Sequence, residues 1–354
     1  MAGTGSNPTD TRLERAERTL RIPARALLDP APEGGRSRAD LMWHDGRLGL
    51  RGKSEADGGW RFAPPDQKWF RQLDPALSGL MTAFVATQPP MGDAQVRFRI
   101  APDGGRGLWI DLSRDGIQEM VLAGDWLAGL IDDGWIVELG QRGEEVVSGS
   151  EGPTLQPAIP HAWLPAYSPQ GEALPLECLV ASFSQPGPLI NRALVDAAGS
   201  LLDAEGIDEA SWCDWGAGYG NLTAWCARRL GPRGTALEAD PRAFSLLQRN
   251  AARFFPGVSL IHSRAESTDA PPTSDLWLID PPRTGFAPLL ARLPDLVQSP
   301  RHLLAFHCHE QGLESDAAAL RAAAYQLQGW IAVNAFPGTD HLEIVSLWKS
   351  PRQA

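Results

Sequence analysis

Cys308 is the residue in this chain with the most chemical promise. It closes an apolar run, Leu303-Leu304-Ala305-Phe306, and stands between His307 and His309. An apolar run of that kind reads as a buried strand, so the thiol belongs at a strand end, where a sheet presents its loops. Protonated histidine neighbours would lower a thiol's pKa and favour the nucleophilic thiolate. A second apolar strand, Leu276–Ile279, ends in Asp280-Pro281-Pro282-Arg283, which places a carboxylate on the same sheet edge with two prolines stiffening the turn beyond it. A third acid, Glu343, follows Phe336-Pro337-Gly338-Thr339-Asp340-His341-Leu342 and opens the final strand.

A small-molecule site is legible upstream. Asp214-Trp215-Gly216-Ala217-Gly218-Tyr219-Gly220-Asn221 follows a short strand and spaces three glycines at every second position. Glycine in the first βα turn of a doubly wound sheet lets the backbone approach a nucleoside closely. The spacing is GxGxG and not the dinucleotide GxGxxG. Glu238 ends the next strand, 24 residues after Asp214, where a carboxylate can accept hydrogen bonds from both hydroxyls of a ribose. A glycine loop, an acid on strand two and an acid on a later strand form the layout of S-adenosylmethionine enzymes.

The elements that must carry these groups divide the chain. Residues 39–148 alternate short apolar runs with Gly, Asp and Pro, and Val96–Ile100 shows period-two alternation, so short antiparallel strands are expected, with Ala76–Ala86 as a helix. Residues 151–175 contain six prolines and read as an extended connector with a boundary near 175, since proline fixes φ and lacks an amide donor. After 185, helices and strands alternate: Ile190–Ala204, Ser211–Asp214, Thr223–Leu230, Thr235–Leu237, Pro241–Arg253, Val258–Ile261, Leu276–Ile279, Leu303–Phe306 and Ile344–Trp348. This predicts an α/β fold: a Rossmann-like parallel sheet over 176–354, preceded by a smaller β-rich α+β domain over 39–150 and an extension over 1–38.

With 354 residues, 43% apolar and 21% charged, the chain is globular in composition and has no apolar run of transmembrane length. No secretory or transit leader is recognisable, so a cytoplasmic location is expected. Its four cysteines form no CxxC pair, which argues against a disulfide scaffold, a zinc finger or an iron–sulfur cluster. The net charge of −11 argues against a general polyanion binder, but it is uneven: +3 over residues 1–99, −9 over 100–175 and −5 over 176–354. In the first segment Arg47, Arg51, Lys53, Arg61, Lys68, Arg71, Arg97 and Arg99 interleave with Trp43, Trp60, Trp69 and Phe70. Cations beside stacking surfaces suit unpaired nucleotides; solvated strand faces over core tryptophans give the same pattern.

The ordered set resembles the RNA uracil-5-methyltransferase family. The matching segments are Phe183-Ser184-Gln185 (FxQxN), Asp214 to Asn221 (DxxxGxGN), Glu238, Asp280 to Arg283 (DPPR), Cys308 (an SCNP-type turn) and Phe336 to Glu343 (FPHTxHVE). The resemblance covers about residues 180–350 and is weaker over 39–110. It implies a class I methyltransferase fold, S-adenosylmethionine as cofactor, and a uridine in single-stranded or looped transfer or ribosomal RNA as substrate. Cys308 is then the nucleophile and Glu343 the base. Gln185, Asp214, Gly216, Gly218, Asn221, Glu238 and Asp280 hold the cofactor, and Asp280 and Arg283 meet the pyrimidine. The protein is expected to be monomeric and to have no membrane partner.

Several positions depart from the family pattern. Ser-Cys-Asn-Pro is replaced by His307-Cys308-His309-Glu310, whose glutamate is expected to raise the thiol's pKa unless His309 or Arg283 offsets it. Gly187, Gly216 and Gly338 stand where the family has polar, aromatic and histidine residues. The cluster cysteines and the N-terminal β-barrel of some members are not recognisable. Two other readings stay open: an RNA-binding relative with weak or lost methyl transfer, and a methyltransferase for another substrate that omits the covalent step.

Overall fold

A computed structural model of the chain describes residues 8–30, 33–53, 60–264, 272–296, 298–337, 339 and 341–351. Gly338 and Asp340, in the segment leading to the last strand, lie outside the described residues. The chain forms two units: one from residues 1–32, 166–176 and 189–354, the other from residues 33–165 and 177–188.

The chain opens on helix α1 (Pro8–Leu20) and strand β1 (Ala26–Leu28), both in the first unit. The second unit follows. Its elements are β2 (Arg38–His44), β3 (Arg47–Lys53), β4 (Trp60–Ala63), α2 (Gln67–Arg71), α3 (Pro75–Ala86), β5 (Ala94–Ile100), β6 (Arg106–Asp111), α4 (Arg114–Leu122), α5 (Asp125–Asp132), β7 (Trp135–Leu139), β8 (Glu144–Gly149) and β9 (Gly152–Pro157). Its sheet runs β4-β3-β2-β5-β6-β7-β8-β9. All neighbours are antiparallel except β6 and β7. Asp45 and Gly46, both at positive φ, make the two-residue turn from β2 to β3. The helix expected over 76–86 is present. Helices α4 and α5 are additions to the expected strands, because Gly and Asp inside them read as turns; their Ile117, Met120, Leu127 and Leu130 pack into the unit's core. They form the crossover that the parallel β6–β7 pair requires.

The first unit resumes with β10 (Ala166–Tyr167), β11 (Ala173–Leu174), α6 (Pro188–Ala204), β12 (Trp212–Trp215), α7 (Asn221–Leu230), β13 (Gly234–Glu238), α8 (Pro241–Phe254), β14 (Ser259–His262), β15 (Leu276–Ile279), α9 (Ala287–Leu290), β16 (His302–His307), α10 (Glu310–Ala322), β17 (Gln326–Val333) and β18 (Glu343–Lys349). Its sheet runs β1-β17-β18-β16-β15-β12-β13-β14. Strands β12 to β16 are parallel and β18 is antiparallel to both neighbours. The chain passes from β14 on one edge to β15 on the far side of β12. The carboxyl end of β12 is therefore a topological switch point, where open α/β sheets bind ligands.

The expected division differs in two places. Residues 1–38 are no simple extension: Ala16 and Leu20 of α1 are buried with Leu320 and Trp330, and β1 pairs with β17 at Ala26–Ile331. Burial of that apolar face makes α1 part of the first unit. The segment 177–188 sits with the second unit, because arginines of β2 and β5 bind its carbonyl groups. The proline-rich stretch contains β9, which is an edge strand, as its prolines require.

Candidate active site

The glycine loop leaves β12 with Gly216, Gly218 and Gly220 at φ of +75°, +58° and +102°. All three would be strained with any side chain. The Gly216 and Ala217 N–H groups both donate to the Leu237 carbonyl, at 2.9 and 2.8 Å, which folds the loop over the end of β13. There Glu238 serves as a local anchor. Its Oε2 accepts from Gly218 N–H at 2.8 Å, and its Oε1 accepts from the Ala239 and Asp240 amides at 2.8 and 2.7 Å. A Cβ built on Gly218 would meet nothing within 4 Å, so the loop backbone faces open space beside this carboxylate. That is a fit for a nucleoside: bare backbone on one side and a strand-end acid on the other.

Two of the expected cofactor residues act behind the loop. Asp214 is buried, and its Oδ2 accepts from the Thr223 hydroxyl at 2.6 Å, tying β12 to the first turn of α7. Burial lifts its carboxyl to about 6. Asn221 and Asn191 exchange reciprocal amide hydrogen bonds of 2.8 and 2.9 Å, which lock α7 to α6. Gln185 belongs to the second unit.

The residues expected to react sit on three other segments of the first unit: Cys308 just after β16, Glu343 at the start of β18, and Asp280 with Arg283 after β15. They feel one another electrically. The half-buried Cys308 thiol is pushed up to about 12, by burial first and then by the charges of Glu343 and Asp280, with Arg283 opposing. Glu343 is pushed up to about 8 by burial and by Asp280, again with Arg283 opposing. Asp280 is raised to about 7 by burial and by Asp214. Carboxyl groups held near neutrality can both release and take protons at physiological pH.

The leading charges on the thiol are those of Glu343 and Asp280, opposed by Arg283, and not that of Glu310 two residues away. Its carboxylate pairs with Arg15 of α1 at 3.3 Å. His309 caps the next helix, its Nδ1 accepting from Gln311 N–H at the start of α10. Arg12 carries no signal of function in the sequence, yet it is buried, donates to the His341 carbonyl and reaches Asn334 Oδ1 at 3.3 Å. It thereby braces the segment that carries Glu343. The signal that could have revealed it is an arginine in line with Ala16 and Leu20 on one face of a helix.

The candidate nucleic-acid face contracts in the structure. Arg97 pairs with Asp40 and donates to the Ser182 carbonyl at 2.8 Å; Arg99, 1% exposed, donates to the Val180 carbonyl at 2.9 Å and the Ser184 hydroxyl at 3.0 Å. Trp43 and Trp69 are core residues. Arg47, Arg51, Arg61, Lys68, Arg71 and Phe70 remain exposed. The side chains of Lys53 and Trp60 lie outside the described residues.

No protein-family model matches the chain. A curated relative from Bdellovibrio bacteriovorus, named an uncharacterized RNA methyltransferase, is 29% identical over 333 residues, covering 91% of this chain and 83% of that protein. The 23S rRNA (uracil(1939)-C(5))-methyltransferase RlmD of Ralstonia pickettii is 32% identical over 183 residues, 47% of this chain and 40% of its own length. The protein of the same name from Cupriavidus necator is 32% identical over 215 residues, with shares of 55% and 48%. The chain thus spans under half of these two relatives. The crystal structure of Pyrococcus abyssi tRNA (uracil-54, C5)-methyltransferase with S-adenosyl-L-homocysteine matches 96% of this chain and 82% of its own, at a TM-score of 0.65 and 14% identity, which establishes a shared fold. No helix among the described residues is long and apolar enough to cross a membrane.

Proposed function

We propose that this chain, a divergent member of the RNA uracil-5-methyltransferase family, methylates C5 of a uridine in RNA through a transient bond between Cys308 and C6. The observation that carries this reading is the strand register that brings Asp280, Cys308 and Glu343 to one sheet edge, with Ile279 paired to Ala305 and His307 paired to Ile344.

C5 of uracil is a poor nucleophile, and a covalent step divides the difficulty. The Cys308 thiol gives its proton to solvent, and its sulfur bonds to C6 as the C5–C6 π electrons move toward C5 and O4. S-adenosylmethionine, when bound, supplies the electrophilic methyl group that C5 takes up. Glu343 then accepts the C5 proton, the C5–C6 double bond reforms, and the S–C6 bond breaks to release Cys308. A carboxyl near 8 is basic enough for that removal. Gly216 and Gly218 offer bare backbone to the adenosyl group, with Glu238 toward its ribose; Asp214 and Asn221 hold the loop in shape. Asp280 and Arg283 are assigned to the pyrimidine. A positive charge supplied by the bound cofactor would favour the Cys308 thiolate directly, opposing the carboxylate charges that hold the thiol up. The base must leave its stack to reach Cys308, so an unpaired or looped uridine is the expected substrate. The exposed Arg47, Arg51 and Phe70 suit its backbone and bases.

The test is RNA incubated with protein and methyl donor, digested and examined by mass spectrometry for 5-methyluridine. Cys308→Ala is expected to abolish the product. RNA containing 5-fluorouridine, which has no C5 proton to lose, is expected to trap a covalent complex through Cys308. Methylation that survives Cys308→Ala would move the assignment to a direct transfer on another substrate atom. RNA binding with no methylation of any site would leave a binding protein.

A further inference from the structure

Nine residues beyond His307, on the inner side of α10, Asp316 is completely buried. Its Oδ2 lies 3.0 Å from His307 Nε2, and both carboxylate oxygens accept from the Phe286 N–H, at 2.8 and 2.9 Å. One carboxylate therefore joins three segments: the end of β16, the body of α10, and the loop that begins at Asp280 and contains Arg283. The approach is close enough to demand glycine. A Cβ on Gly285, whose φ is +81°, would stand 2.5 Å from Asp316 Oδ1, and one on Gly312 would stand 3.0 Å from the Arg283 carbonyl oxygen.

The chemistry of the pair is directional. Asp316 can only accept in this arrangement, so the His307 proton sits on Nε2. His307 is itself buried, and its Nδ1 has no hydrogen-bond partner among the described residues. An apolar contact of similar volume would join strand to helix with less desolvation. What a hydrogen-bonded pair adds is a fixed angle and distance. The next residue after His307 is Cys308, and the loop on the other side of Asp316 carries Asp280 and Arg283, both of which act electrically on the thiol.

The geometry points to His307 and Asp316 as positioning residues that set the placement of Cys308 against the Asp280–Arg283 loop. They are assigned no contact with the substrate or the methyl donor. The inference rests on the reading of Cys308 as the nucleophile. It also gives a physical reason for histidine at a position where the family pattern has serine: here the strand end is held by a buried carboxylate on the following helix.

The experiment compares wild type with His307→Phe, Asp316→Asn and His307→Gln, the last of which keeps an N–H donor near the Nε2 position. Three quantities are read: the rate of covalent complex formation with 5-fluorouridine RNA, binding of S-adenosyl-L-homocysteine, and alkylation of Cys308 by iodoacetamide, followed by peptide mass spectrometry. The other three cysteines are buried. His307→Phe and Asp316→Asn are expected to slow complex formation by about 100-fold, the scale of an ångström misplacement, while cofactor-product binding changes by less than about twofold. His307→Gln is expected to restore the rate to within about fivefold of wild type. Alkylation of the first two variants should quicken several-fold as the turn loosens. Unchanged complex formation in folded variants overturns the inference, as does a loss shared equally by cofactor-product binding, or a failure of His307→Gln to rescue. Should wild type form no complex at all, the nucleophile assignment fails separately; alkylation rates then decide the positioning role, and equal rates in all four proteins overturn it.

Discussion

The unit formed by residues 33–165 and 177–188 and the unit that carries Cys308 both enclose charged groups, with opposite consequences. In the former, Asp40 meets Arg38 at 3.0 Å and also pairs with Arg97, and its carboxyl is held down to about 2 despite burial. Glu138 accepts the Val180 and Ala181 amides at 2.7 and 2.9 Å, and Arg99 binds carbonyl groups of the same segment. Asp40, Glu138 and Arg99 each have an opposite charge or a backbone dipole in contact, although burial still lifts the Glu138 carboxyl to about 6. In the Cys308 unit, two carboxyls and a thiol crowd together against Arg283, and Glu343 is lifted to about 8. Matched burial yields scaffold, whereas like charges forced together yield groups ready to exchange protons. Basic residues that look suited to nucleic acid can therefore be structural, while acids at strand ends can be held close to neutrality.

The comparison breaks most decisively at Glu343. Glu343→Gln is expected to lower turnover by about 10²–10⁴-fold while leaving complex formation possible, so that Cys308 adducts accumulate even on ordinary uridine. Gel mobility of the protein–RNA complex reads this directly; rapid release of methylated product from the variant would refute the assignment. The same substitution tests the claim of unfavourable burial. A carboxyl at about 8 in the folded protein, against 4.5 for an ordinary glutamate, means the folded state holds the extra proton between those limits. Stability should then fall as pH rises through that window, because the unfolded chain has already released its proton. Removing the ionisable group should flatten the fall: Glu343→Gln should melt above wild type at pH 8 and level with it near pH 4. Equal melting temperatures at both pH values would remove the claim.

At intermediate size, Arg99→Met strips donors from the 180–184 carbonyl groups and is expected to destabilise by about 3 kcal/mol in urea unfolding. An effect below about 0.5 kcal/mol would place Arg99 outside the scaffold. The smallest effects belong to the exposed cations. Arg47→Ala and Arg51→Ala should leave stability within about 0.5 kcal/mol, weaken RNA binding a few-fold, and each reduce the salt dependence of that binding by about one unit of slope. An unchanged slope would show that this strip does not meet phosphates.

Much of the Cys308 unit was legible because parallel strands are buried on both faces and read as continuous apolar runs. Leu276–Ile279 and the run before Cys308 fall where expected, and their loops carry Asp280 and Cys308. The glycine loop was legible for a local reason: its positive φ angles require glycine whatever packs around it. The β-rich unit was harder. Its helices α4 and α5 are short, and the glycines and aspartates within them resemble turns until Ile117 and Leu127 are seen in the core.

Sequence distance also misled about charge. Glu310 lies two residues from Cys308 but is paired with Arg15, while Glu343, 35 residues away, acts on the thiol. A helix begins at Glu310 and turns that side chain toward α1, whereas β18 lies directly beside β16 and brings Glu343 alongside.

From its residues alone, this chain determined the kind of chemistry available: a glycine loop for a nucleoside, a strand-end thiol, and acids in a recognisable order. Local backbone preference and side-chain type suffice for that. Only the tertiary structure decided which acids are pushed toward neutrality and which charges are braces, because protonation depends on burial and on charges brought together across the chain. Arg12 bracing the His341 carbonyl across 329 residues, and Asp316 holding His307 beside the thiol, are contacts that no local pattern encodes.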